Sequence, residues 1–109
     1  MFQSIRTPEE LVLLIRENPA VLVFFSTGAC GVCKALQPKV EELINKEFPR
    51  IRTVYVEINQ NPALAAKWNI FMAPTLILFF DGREFIRKGR NLGIDELRRE
   101  IKRPYSLMC

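Results

Sequence analysis

Six consecutive residues, Ala20 to Phe25, read Ala-Val-Leu-Val-Phe-Phe with no polar interruption. A strand with one wet face alternates apolar and polar side chains, because successive residues point to opposite sides of the sheet. A run that is apolar, β-branched and aromatic throughout predicts a strand buried on both faces, at the centre of a sheet covered by helices above and below. Thr75 to Phe80 (Thr-Leu-Ile-Leu-Phe-Phe) predicts a second such strand. Both runs fall far short of the roughly 20 apolar residues that span a bilayer, so no membrane segment is expected.

The other segments arrange themselves around these strands. Thr7-Pro8-Glu9-Glu10 marks a helix start, with Thr as N-cap, Pro at the first helical position and a glutamate three residues after the cap. Leu11, Leu14 and Ile15 then form one apolar stripe, and Asn18-Pro19 ends the helix. A second helix is expected from about Gly31 to Lys46, with Leu36, Val40, Leu43 and Ile44 on one face and Pro38 kinking it. Ile51 to Ile58 alternates as a strand, and Asn59 to Pro62 turns into a short helix carrying Leu64, Ala65 and Trp68, the last as a core filler.

Asp81-Gly82 is a hairpin signal that folds Arg83 to Lys88 back antiparallel on Thr75 to Phe80. Ile94 to Ile101 predicts a last helix, and Pro104 to Cys109 a loose tail. The order α-β-α-β-α-β-β-α, with room for a short strand at Phe2 to Ile5, predicts an α/β fold. Its sheet is mixed, four- or five-stranded, and flanked by helices on both faces. Residues 1–109 read as a single domain, with 104–109 outside its core.

Composition narrows the function classes. With 49% hydrophobic and 26% charged residues in 109, the chain can bury one core, which excludes disorder as its default state. The formal net charge is +4, and much of the base falls between Arg83 and Arg103. Glu84, Asp95, Glu96 and Glu100 interrupt that stretch, and neither glycine-rich nor aromatic interleaving accompanies it. A solvated face or a mild preference for acidic partners is expected, and no nucleic-acid binding. The N-terminus shows no charged start followed by an apolar stretch and a cleavage site, so the expected compartment is the cytoplasm, where thiols are kept reduced. Three cysteines are too few, and odd in number, for a disulfide framework.

Two of the three form Cys30-Gly31-Val32-Cys33, between the buried strand and the kinked helix. At a helix start, cysteines at i and i+3 face the same side, close enough to bridge. Cys30 would sit at the helix end, where unpaired N–H groups favour an anion. A free thiol with a pKa near 8.5 is only about 3% thiolate at pH 7. Stabilisation of roughly 1–2 kcal/mol at the helix end raises that fraction severalfold. Cys30 is therefore the expected nucleophile on a substrate disulfide and Cys33 the resolving thiol that breaks the mixed disulfide. A metal site is the weaker reading, since structural zinc takes four Cys or His ligands and the chain has no histidine. A purely structural cysteine pair is the other alternative.

Over nearly its whole length the chain resembles thioredoxin. The resemblance rests on Phe25, Cys30-Gly31-Val32-Cys33-Lys34 and Pro38, then Ile58 with Gln60-Asn61-Pro62, Ala73-Pro74-Thr75, Asp81-Gly82 and Gly89. It implies the thioredoxin fold and a cis proline at Pro74 facing the cysteine pair. It also implies a substrate-receiving surface of Gly31, Val32, Ala73, Pro74, Thr75 and Gly89. The implied activity is thiol–disulfide oxidoreduction by a monomer, with no bound cofactor or metal. The implied partners are disulfide-containing protein substrates and a thioredoxin-reductase-like electron donor.

The departures from the family pattern concern activity. Ala29 stands where thioredoxins place a tryptophan, and Val32 where they place a proline, which predicts a somewhat more oxidising pair. Phe24 stands where they bury an aspartate that helps deprotonate the resolving cysteine. Glu57 is a candidate proton relay in its stead, and Lys34 a nearby solvated charge. Phe71 and Met72 are candidates for an apolar rim that replaces the absent tryptophan. Cys109, which does not fit a prenylation signal, reads as a bystander thiol. The sequence thus predicts a reductant of protein disulfides. A redox-sensing or partner-binding module with little turnover, or a metal site shared between chains, stands as an alternative.

Overall fold

A computed structural model describes residues 3–108. The sheet has five strands: β1 (Gln3–Ser4), β2 (Ala20–Ser26), β3 (Arg52–Glu57), β4 (Thr75–Phe80) and β5 (Arg83–Lys88), in the spatial order β1-β3-β2-β4-β5. Strands β1, β3 and β2 run parallel, and β4 and β5 antiparallel to their neighbours. Phe2, expected at the start of β1, lies outside the described residues.

Four α-helices cover the sheet: α1 (Pro8–Glu17), α2 (Gly31–Glu47), α3 (Pro62–Lys67) and α4 (Ile94–Ser106), with a 3-10 turn at Ile58–Gln60. The central strand explains the layering, because every residue of β2 is buried. Leu22 and Phe24 join a cluster with Leu36, Val40, Leu97 and Ile101 of α2 and α4. Val21, Val23 and Phe25 join a second cluster with Leu11, Ile15 and Leu64 of α1 and α3. The uninterrupted apolar run is thus two alternating faces, each with its own pair of helices.

Local chemistry sets the element ends. Thr7 Oγ1 accepts the Glu10 N–H at 3.1 Å, as the cap signal predicts. The return bond differs by one residue, because Glu10 Oε1 accepts from the backbone N–H of Arg6 rather than that of Thr7. Asp81 and Gly82 both have positive φ, 54° and 79°, the pairing that a tight two-residue hairpin requires. Pro38 lies inside α2 on its exposed side, where water can satisfy the carbonyl that loses its partner.

The C-terminal segment requires a correction. The expected loose tail from Pro104 is instead the last turn of α4, which continues through Pro104 to Ser106. The Tyr105 ring stands edge-on to Phe48 at 5.0 Å, and its hydroxyl accepts the Arg50 N–H at 3.2 Å. Those contacts anchor a turn that the proline alone would disfavour. Met108 also packs against the α2–α4 cluster. Cys109 lies outside the described residues.

Candidate active site

The register of β2 and β4 brings two loops to one end of the sheet. Phe25, one residue before β2 ends, pairs with Thr75, the first residue of β4. The chain leaving β2 through Thr27–Ala29 and the chain entering β4 through Met72–Pro74 therefore meet above the same sheet edge.

Cys30 is the N-cap of α2. Its Sγ accepts the backbone N–H of Cys33 at 3.0 Å, so one of the unpaired amides of the helix start points at the sulfur. Cys30 and Cys33 are disulfide-bonded, with Cα atoms 5.2 Å apart. Their surroundings differ. Cys30 is half-buried, whereas Cys33 is 1% exposed and lies in the apolar cluster that includes Phe24, Leu36, Val40 and Leu76. A sulfur in such surroundings resists taking a charge.

The Ala73–Pro74 peptide is cis. Thr75 Oγ1 donates to the Met72 carbonyl at 2.7 Å, which closes the loop on itself. A cleft of about 680 Å³ brings Ala29, Cys30, Gly31 and Val32 together with Phe71, Met72 and Ala73. Pro74 and Thr75 are buried and do not line it, so their side chains shape the loop from below. Gly89 lines a neighbouring cleft of about 730 Å³, where a Cβ on it would stand 3.8 Å from Met72 Sδ, an ordinary contact. Gly31 has open space where a Cβ would be.

Glu57, the candidate relay, ends β3. Its Oε2 accepts the Asn59 N–H at 2.9 Å and caps the 3-10 turn, and Oε1 lies 3.5 Å from where a Cβ on Gly28 would sit. The carboxylate is at the site's margin and already holds a structural bond. Lys34 is exposed, as expected. Phe71 is 90% exposed and Met72 57%, an apolar pair in water beside the disulfide. Trp68 packs on the α1–α3 side, in the structural role expected of it.

On the far side of the second cleft, Lys88 sits between Glu100 at 2.7 Å and Glu96 at 3.2 Å. The Glu100 bond, then the Glu96 bond, holds its ammonium above the ordinary lysine range. Among the described residues no three His, Cys, Asp or Glu side chains converge as metal ligands, and no helix is long and apolar enough to cross a membrane.

A helix-capping cysteine is bonded to a buried one, as the spacing suggested, and the neighbouring loop carries the cis proline that the resemblance implied. The thioredoxin family model matches residues 5–103.

The chain belongs to the thioredoxin family.

Among curated relatives, a thioredoxin of Aspergillus fumigatus is 34% identical over 89 residues, covering 82% of this chain and 81% of that protein. A thioredoxin-like protein of Bacillus subtilis, YdfQ, is 29% identical over 93 residues, covering 85% of this chain and 82% of that protein. Among solved structures, Fasciola hepatica thioredoxin superimposes with a TM-score of 0.82 at 33% identity, over 94% of this chain and 98% of its own. A mutant thioredoxin from Halobacterium salinarum gives 0.84 at 27% identity, over 98% and 92%. This thioredoxin-family chain is accordingly a thiol–disulfide oxidoreductase with a redox-type cysteine pair.

Sequence reasoning missed four cleft residues, Thr27, Asn59, Ile70 and Arg90. Thr27 and Asn59 carry no motif signal of their own and reach the cleft only because their loops leave adjacent strands. Arg90 stood in the late basic stretch, and its place directly after Gly89 was the available clue.

Proposed function

We propose that the chain reduces protein disulfides, with Cys30 as nucleophile and Cys33 as resolving thiol. The observation that carries this reading is the unequal exposure of the two sulfurs at one helix start. Only Cys30 can meet an incoming disulfide, and the Cys33 N–H donates to the sulfur that must carry negative charge. In the first step the Cys30 thiolate bonds to one substrate sulfur and the other substrate sulfur leaves as a thiolate. In the second, the Cys33 thiolate attacks Cys30 Sγ and expels the remaining substrate sulfur. The enzyme dithiol loses two electrons and two protons, and the substrate gains both.

Gly31, Val32 and Ala73 offer the surface on which the substrate chain lies, with Pro74, Thr75 and Gly89 holding its edge. A reductase of the thioredoxin-reductase kind returns the electrons. A reductant works where the thiol pool is kept reduced, and on that ground we assign the chain, as one domain acting as a monomer, to the cytoplasm.

The test is the reduction potential of the Cys30–Cys33 pair, equilibrated in thiol buffers with Cys109→Ser. A value near about −270 mV agrees with a reductant, and one above about −200 mV overturns that direction of electron flow. Cys30→Ser should abolish turnover, while Cys33→Ser should accumulate the mixed disulfide.

One observation favours a second reading, a partner-holding module with slow release. Phe24 and the other apolar neighbours of Cys33 oppose the thiolate that must resolve the mixed disulfide. Alkylation of Cys30 separates the two, because turnover is lost while a true adaptor keeps its partner.

A further inference from the structure

The cleft beside the disulfide is lined by apolar and neutral polar side chains, with one charged exception. Among the described residues that line it, Arg90 carries the one formal charge. Arg90 is exposed, and among the described residues its side chain makes no ion pair or hydrogen bond. The other charges that line the adjoining cleft have partners. Arg87 forms a two-bond pair with Glu84, at 2.9 Å on each arm, and Lys88 holds Glu96 and Glu100. Glu57 stands near Gly28, at the Thr27 side of the cleft, with its carboxylate on the Asn59 N–H.

Arg90 and Met72 line both clefts, so the two form one continuous surface running from Cys30 past Met72. Its second half is lined by three cations, Arg87, Lys88 and Arg90, against the single carboxylate of Glu96. A ligand crossing it meets the exposed Phe71 and Met72 next to the sulfur, then an unneutralised guanidinium.

We propose that this surface selects protein disulfides whose flanking segment is acidic: Phe71 and Met72 receive an apolar side chain beside the attacked cystine, and Arg90 binds an Asp or Glu within a few residues of it. The inference rests on the reductant reading above and names its substrate class. The electron balance is unchanged, with the Cys30–Cys33 dithiol supplying both electrons. The physical basis is charge complementarity, which raises encounter rates and discriminates against like-charged partners. A guanidinium suits the task because its planar fork matches a carboxylate.

The test uses full-length protein carrying Cys109→Ser, reduced beforehand, in single-turnover stopped flow. Three short peptides each carry one cysteine as a 2-thiopyridyl mixed disulfide and differ only in the flanking pair, Glu, Gln or Lys. Release of thiopyridone gives the rate. The glutamate peptide should react about threefold or more faster than the glutamine peptide at low salt, and the lysine peptide slowest. The spread should collapse near about 0.5 M salt. Arg90→Glu should invert the order, and Arg90→Lys should keep it.

An order unaltered by Arg90→Glu overturns the proposal. So does an Arg90→Ala variant that loses reduction of glutathione disulfide while the peptide order stands, because the cleft would then read a small anionic disulfide instead. If even the glutamine peptide reacts no faster than with the Cys30→Ser variant, the reductant reading itself fails.

Discussion

Phe24 of β2 and Cys33 of α2 lie in the same apolar cluster, the ring 0% and the sulfur-bearing residue 1% exposed. The cluster thereby gains packing around Cys33, the proposed resolving thiol, where the family pattern supplies an acid. A buried aromatic in a close-packed core is worth several kcal/mol, whereas a carboxylate there would have to be desolvated. Stability and fast resolution make opposing demands on this position.

Phe24→Asp should therefore separate the two quantities. Loss of the ring and burial of a polar group should lower stability by about 3–5 kcal/mol, read from the urea midpoint. In the fraction that remains folded, decay of the mixed disulfide at neutral pH should speed up. A variant that is destabilised without faster decay would show that Phe24 does not limit resolution.

The exposed pair beside the disulfide should behave in the opposite way. Phe71→Ser should leave the unfolding midpoint within about 0.5 kcal/mol of the parent, because the ring is almost wholly in water. The same change should lower kcat/KM for a protein disulfide by at least about fivefold, while a small chemical disulfide that cannot reach the ring should be reduced at the parent rate. Equal losses for both substrates would argue that Phe71 shapes the loop rather than the contact.

The final turn of α4 can be tested by removal. Truncation after Arg103 deletes the Tyr105–Phe48 contact and the bond from Arg50 N–H to the Tyr105 hydroxyl. It should cost about 1–3 kcal/mol of stability. Tyr105→Phe should keep the ring contact and cost about 1 kcal/mol for the lost hydrogen bond.

The Glu84–Arg87 pair makes stability depend weakly on acid. The Arg87 hydrogen bond, and secondarily its charge, hold Glu84 below the ordinary glutamate value of 4.5. A carboxyl lowered on folding contributes stability above its unfolded pKa, and that contribution disappears as pH falls through the folded pKa. Between pH 6 and pH 3 the parent should lose up to about 1 kcal/mol more than Glu84→Gln does, since the pair is more than a third exposed. Identical slopes for parent and variant would remove the pair from the acid response.

The sheet and its helices were largely legible because their signals are local. The run Ala20–Phe25 can be buried only from both sides, Asp81-Gly82 supplies positive φ where the hairpin needs it, and Thr7-Pro8 opens a helix. The Cys30-to-Cys33 spacing likewise brings its own bridge. Tyr105 was misjudged because its partner Phe48 is 57 residues away in sequence and no pattern announces such a contact. Arg90 went unnoticed as a site residue for the same reason, since only folding brings the turn after β5 alongside the loop before β4. The cis bond at Pro74 came from resemblance alone, because an Ala-Pro dipeptide has no local cause to be cis.

Leu22 and Val23 are joined by a peptide bond, yet they belong to different interiors, one beneath the cysteine-bearing helix and the other beneath α1 and α3. The backbone plane of β2 stands between them as a partition. Truncations at these two sequence neighbours should consequently combine almost as if made in separate molecules, whereas Leu22 should couple to Leu97 across 75 residues of chain. Repairs to a weakened core need to be chosen by compartment, and the half that holds Cys33 can be re-engineered while the other continues to carry the fold.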